Sequence, residues 1–275
     1  MSIKIIESFI KGKKNSPKLC EDGLVITENY ISVIDGVTSK GNTLWDNTSS
    51  GVYVKNLLIN AISKMNFNLS AEECIKYLNL LIKEEYIKRN VYENVKKHPE
   101  ERLQANLIIF SISRNEVWIF GDCQALINNV FYHKEKKTDK ILSDVRSLFI
   151  DLELKNGKNI GDILKKDDGR EYILPLLRQS IIYNNEKGEY GCNVLDGFDV
   201  NLENITKVKV AKNDEIVLAS DGYPFLMNTL EKSEEKLAEI LEKDPLLIHV
   251  YKSTKGLQEG NISYDDRTYI KFIIE

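Results

Sequence analysis

The four cysteines of this chain, Cys20, Cys74, Cys123 and Cys192, are scattered, and no two stand in CxxC spacing. That excludes a cysteine zinc site and a disulfide framework, and reduced thiols are expected. The three histidines are equally unsuited to a metal: His98 and His133 fall in polar segments and His249 in what reads as an apolar helix, so all three are structural or surface residues. An excess of one charge is also missing. Net charge is -4 with acidic and basic residues interspersed, which leaves no footprint for nucleic acid or an anionic membrane. No window approaches a membrane span, and the opening MSIKIIESFIKGKK is too short and too polar for the apolar stretch of a signal peptide. A cytoplasmic protein is expected. Internal repeats and low-complexity linkers are absent too, so the expectation is a single domain over residues 1–275.

What is present suffices for a core, because 42% of 275 residues are apolar. LVITENYISVIDG reads as two short strands around Glu28-Asn29, the second ending on Asp35. After a Gly/Ser/Thr-rich turn, VYVKNLLINAISKM has helical spacing, and a second helix opens at Ser70 with Glu73 placed for a capping box. QANLIIFSISRNEVWIFGDCQALINNVFY predicts an antiparallel meander turning at Arg114-Asn115. From about 134 to 189 the pattern loosens into charged segments and short helices, an inserted, more variable region. ITKVKVAKNDEIVLASDG predicts paired strands around Asn213-Asp214, EKSEEKLAEILEKDPLLIHVYKSTKGL a mainly helical segment, and DDRTYIKFII a last strand. The class is therefore α+β.

The acidic residues recur at strand edges. Glu21 and Asp22 precede the first strand of the hairpin, Asp35 ends the second, Asp122 follows VWIFG, Asp221 ends IVLAS, and Asp265-Asp266 begin the last strand. Carboxylates at neighbouring strand ends converge, and converging carboxylates repel unless protons or cations hold them. An all-oxygen set selects hard ions, magnesium or manganese. Gly36, beside Asp35, lets a backbone carbonyl approach such an ion. Asp-Gly is also a common turn dipeptide, and Asp168-Gly169 and Asp196-Gly197 are read as turns.

The ordered series CEDG, VIDGVTSKG, WIFGDCQALI, IVLASDGYPFL and SYDDRTYIKFII resembles the metal-dependent serine/threonine protein phosphatases, the type 2C or PPM family, over residues 18 to 275. The resemblance implies a four-layer α-β-β-α sandwich with two central antiparallel sheets and a metal pair in the cleft at one end. It also implies roles. Asp35 bridges two ions with the Gly36 carbonyl on one; Asp221 and Asp265 complete the other; Glu21 or Asp22 serves the first directly or through water; Asp122 matches the aspartate of a weaker third ion. A water between the ions would attack phosphorus in line, making Asp35 and Asp221 the catalytic pair.

Three departures matter. Pro17 stands where the family has a phosphate-clamping arginine, so Lys18, with Lys14 behind it, is the expected substrate-binding cation, a point charge in place of a fork. Cys123 replaces the serine of Gly-Asp-Ser and reads as a small core residue. DDRT replaces Asp-Asn-x-Thr and resembles the sporulation and stress-response phosphatase branch, whose first aspartate binds metal. That resemblance implies Asp265 as the ligand with Asp266 the reserve, and adjacent strand residues facing opposite ways cannot readily both reach one ion. The leading expectation is a phosphatase for phosphoserine and phosphothreonine in proteins. The alternatives are a phosphatase of a small phosphorylated metabolite and a catalytically weak member that binds phosphoproteins. Oligomeric state is not legible.

Overall fold

Alternation along single strands sets the layers. The computed structural model describes residues 2–38, 40, 41 and 43–275. Met1, and Ser39 and Asn42 of the Gly/Ser/Thr-rich turn, lie outside the described residues. In β3 (Tyr30–Val37), Tyr30 and Ile34 join a core shared with α1 (Ser50–Ser63) and α2 (Ala71–Lys88), while Ile31 and Val33 join the apolar layer between two sheets. β4 (Gln104–Ser111) is buried at every position and divides in the same way, Leu107 and Ile109 outward, Ile108 and Phe110 inward. Fully burying such side chains contributes ~1.5–3 kcal/mol each relative to exposure.

The first sheet runs β2 (Asp22–Ile26), β3, β4, β5 (Glu116–Phe120), β8 (Thr206–Lys209). The second runs β1 (Ile3–Lys11), β10 (Arg267–Ile274), β9 (Glu215–Ala219), β6 (Gln124–Ile127), β7 (Val130–Tyr132). All the ladders are antiparallel. Helices α1 and α2 cover the first sheet, and α7 (Leu230–Lys243) packs on the second through Leu237 and Ile240. The fold is the expected four-layer α+β sandwich. Ser70 and Glu73 form the expected capping box of α2. Between α2 and β4 lies the short α3 (Tyr92–Lys97). Among the described residues no helix is long and apolar enough to cross a membrane.

Four expectations are corrected. The meander breaks after β5, because β6 joins the other sheet; the chain crosses at Gly121, whose φ of +102° favours glycine and whose Cβ would sit 2.3 Å from Asn106 Oδ1. β8 and β9 do not pair around Asn213-Asp214 either: β8 extends the first sheet beside β5, and β9 sits inside the second between β6 and β10. The segment expected to be mainly helical as far as Leu257 is helical only to Lys243, since Asp244 precedes Pro245. The Asp244 carboxylate then accepts from the amides of Ile248, His249 and Val250, so His249 lies in a loop. Finally, Asp168-Gly169 opens a helix, α6 (Asp168–Gln179), capped by Asp167, whereas Asp196-Gly197 does turn, with φ +80° at Gly197. The 134–189 region is helical, holding α4 (Lys137–Lys155), α5 (Ile160–Lys165) and α6.

Candidate metal centre

Asp35 continues the inward face of β3 set by Ile31 and Val33, so its carboxylate enters the inter-sheet layer where the apolar side chains run out. Asp122 sits at the crossing between β5 and β6, and Asp221 lies just past the end of β9. One carboxylate oxygen from each of Asp35, Asp122 and Asp221 falls within 4.8 Å of the others. Three segments remote in sequence, drawn from both sheets, therefore deliver oxygen to one point.

The local chemistry favours a cation there. Burial raises the Asp35 carboxyl well above the usual 3.8, with Asp22 and Asp122 pushing the same way and Lys136 opposing. Burial also raises Asp221, reinforced by Asp35 and Asp122. Asp122 is 7% exposed; its Oδ2 pairs with Lys136 Nζ at 2.6 Å, but its buried Oδ1 has no hydrogen-bond partner among the described residues. An unmatched buried carboxylate oxygen costs about 1–3 kcal/mol or more. Asn106, opposite Asp35 in the β3–β4 register, donates Nδ2 to Asp35 Oδ2 at 3.2 Å and fixes that side chain.

A second convergence lies beside the first. A Cβ on Gly51, in the first turn of α1, would stand 2.5 Å from both Glu21 Oε1 and the Gly36 carbonyl oxygen, so those two oxygens aim at one spot. Gly36 itself must lack a side chain, since a Cβ there would lie 2.3 Å from the Gly51 carbonyl. The glycine after Asp35 is thus required by the close approach of α1. Glu21 accepts from the hydroxyls of Thr38 and Ser49, the latter at 2.6 Å, and Ser49 also caps α1. Oxygen donors only, one of them buried and unmatched, fit magnesium or manganese.

The remaining predicted residues are engaged differently. Asp22 lies opposite Asp35 on the same face, but its Oδ2 accepts from Ser220 Oγ at 2.6 Å and Thr268 Oγ1 at 2.9 Å, a buried strut between the sheets. Asp265 is outside the trio, and its carboxylate pairs with Lys13 Nζ at 3.1 Å and with Lys255 Nζ. Burial would raise its carboxyl; the ammoniums of Lys255 and Lys13 outweigh that and bring it down to about 2. Asp266 accepts from the backbone amides of Lys13 at 2.7 Å and Glu21 at 2.8 Å, a clamp on the chain itself. Lys18 is exposed in a 3-10 turn, Pro17–Leu19, with no side-chain partner among the described residues. Cys123 is buried among the inter-sheet side chains.

Sequence reasoning missed Lys13, Asn106, Lys136 and Lys255. Continuing the β1–β10 register past the pair Lys11–Arg267 brings Lys13 to Asp265, which only strand pairing reveals. Asn106, polar between the apolar Ala105 and Leu107, was the visible signal.

With that geometry, solved structures can be set beside the chain. It is similar to the Mycobacterium tuberculosis serine/threonine phosphatase PstP/Ppp, at 12% identity over 99% of both chains and a TM-score of 0.49. It is similar also to the serine/threonine phosphatase Stp1 from Staphylococcus aureus, at 14% over 100% of this chain and 96% of that one, TM-score 0.46. Its structural neighbours are PP2C-type serine/threonine phosphatases. RsbX, solved in complex with magnesium, is a further neighbour at 11% identity over 100% of each chain, TM-score 0.44. No family model and no curated protein matches the sequence. At these identities the likeness to the PP2C phosphatases is one of fold.

Proposed function

We propose that this chain is a magnesium- or manganese-dependent phosphatase acting on phosphoserine and phosphothreonine in proteins. The observation that carries it is the meeting of Asp35, Asp122 and Asp221 at one point, with the buried Oδ1 of Asp122 unmatched. In this reading Asp35, Asp221, Asp122, Asp265, Glu21 and the carbonyl of Gly36 would hold the divalent ions. Bound divalent ions would supply an acidified water and screen the phosphate's charge. The chain's own part is orientation. Asn106 holds Asp35 at one oxygen, the hydroxyls of Thr38 and Ser49 hold Glu21, and the Asp22 strut with Ser220 and Thr268 locks the two sheets in the register that brings the trio together.

The ordered motifs supply the reaction class, since a bare oxygen cluster does not choose one. The test is turnover of p-nitrophenyl phosphate and of a phosphothreonine peptide by the purified protein with manganese, with magnesium and with chelator. Metal-dependent hydrolysis of the peptide is expected. Hydrolysis of the small ester alone would redirect the reading to a phosphorylated metabolite, and hydrolysis of neither would sink it.

A further inference from the structure

The 134–189 region touches the centre by a direct and an indirect route. Directly, Lys136, which precedes α4, pairs with Asp122. Indirectly, Arg146 of α4 is fully buried and acts as a hub. Its Nε and Nη2 donate to Asp167 at 3.0 and 2.7 Å, while Nη1 donates to the carbonyls of Leu246 at 2.9 Å and Ser253 at 3.0 Å. Asp167 caps α6 through the amide of Arg170, and Arg170 Nη1 donates to the Thr254 carbonyl at 3.0 Å. Segment 246–254 has no helix or strand of its own, so side chains of the inserted region satisfy these backbone carbonyls. Lys255 comes next, and its ammonium rests on Asp265.

Three lysines touch carboxylates of the centre, and they differ in access. The Lys255 side chain is 36% exposed, against 20% for Lys13 and 17% for Lys136. Lys255 alone combines a pinned backbone with a substantial face toward solvent. Resting on the phosphatase reading, we propose that Lys255 is the cation that holds the substrate's phosphate, and that Arg146 and Asp167 are positioning residues that keep it at the centre. The same ammonium serves two partners. It pairs with Asp265 here, and with a divalent cation on that carboxylate it would be free to donate to phosphate oxygens arriving beside it. This assigns the missing guanidinium's work to the far end of the chain, where the inserted region delivers it.

The experiment uses the full chain and two readouts: calorimetric titration with Mn²⁺ without substrate, and steady-state kinetics on p-nitrophenyl phosphate. Lys255→Met is expected to raise KM about tenfold with kcat changed by less than about threefold. It should also tighten Mn²⁺ binding by about tenfold, since Asp265 loses a competing charge. Lys255→Arg should recover most of the KM, because a charge at that place is what is needed. Arg146→Met and Asp167→Asn should reproduce the KM rise; if either fails to fold, Lys255→Met still decides. An unchanged KM in Lys255→Met, alongside normal Mn²⁺ binding and turnover, overturns the inference and leaves the phosphatase reading standing. A wild-type protein that neither binds Mn²⁺ nor hydrolyses the ester overturns both.

Discussion

Asp265 and Asp266 are neighbours in sequence, nearly equally buried, and yet they live in different chemical company. Asp266 accepts a backbone amide at each oxygen, whereas Asp265, besides the amide of Asp266, faces the ammoniums of Lys13 and Lys255. The contrast extends across the centre. Asp22 and Asp266 are matched by fixed donors of the fold; Asp35, Asp122 and Asp221 crowd one another with few donors between them. Carboxylates satisfied by backbone and hydroxyl groups act as struts. Carboxylates left facing like charge store repulsion that a cation would relieve.

The sharpest way to break that comparison is to neutralise one member of each class. Asp35→Asn and Asp221→Asn are expected to lower metal-dependent turnover by orders of magnitude while raising the melting temperature of the chelator-treated protein, because repulsion falls. Asp266→Ala should do the opposite. It leaves two buried amides unpaired and costs about 2–4 kcal/mol, read by urea denaturation. Near-normal turnover of Asp35→Asn, or an unchanged melting temperature for Asp266→Ala, would erase the distinction between ligand and strut.

A smaller effect sharpens the contrast through pH. Burial raises the carboxyls of Asp22, Asp35 and Asp221 above 3.8, so they bind protons more tightly folded than unfolded. Their stabilisation is present below 3.8 and is lost as pH rises through the raised values. Asp265, brought down to about 2, works in the other sense: its contribution is present above 3.8 and is lost as pH falls toward 2. In chelator, stability should therefore decline as pH rises above 3.8 and these carboxyls lose their protons, by up to about 1.4 kcal/mol per pH unit for each proton released. Asp221→Asn or added Mn²⁺ should flatten the slope. A slope unaffected by either would place the titrating groups elsewhere.

The smallest expected effect is at Lys18. It is exposed without a side-chain partner among the described residues, so Lys18→Ala should change stability by less than about 0.5 kcal/mol. Its KM should stay close to wild type. A rise matching that of Lys255→Met would move the phosphate-holding cation to the N-terminal turn.

The sequence alone carried the α+β class, the hairpin that bears Asp35, the capped α2 and the order of the acidic motifs, because each is written in local periodicity or in adjacent residues; that the second strand runs on from Asp35 to Val37 was not among them. It also carried the oxygen-only character of the candidate centre, since chemistry follows from residue type. The tertiary structure decided the rest. Which sheet β6, β8 and β9 join depends on a glycine crossing and on strand partners far away in the chain. Whether an aspartate becomes a strut or part of the trio depends on which hydroxyl, amide or ammonium the opposite sheet presents to it. Lys13 and Lys255 come to Asp265 from opposite ends of the chain. Charges act through distance in space, and spacing in sequence does not encode that distance until the strands have paired.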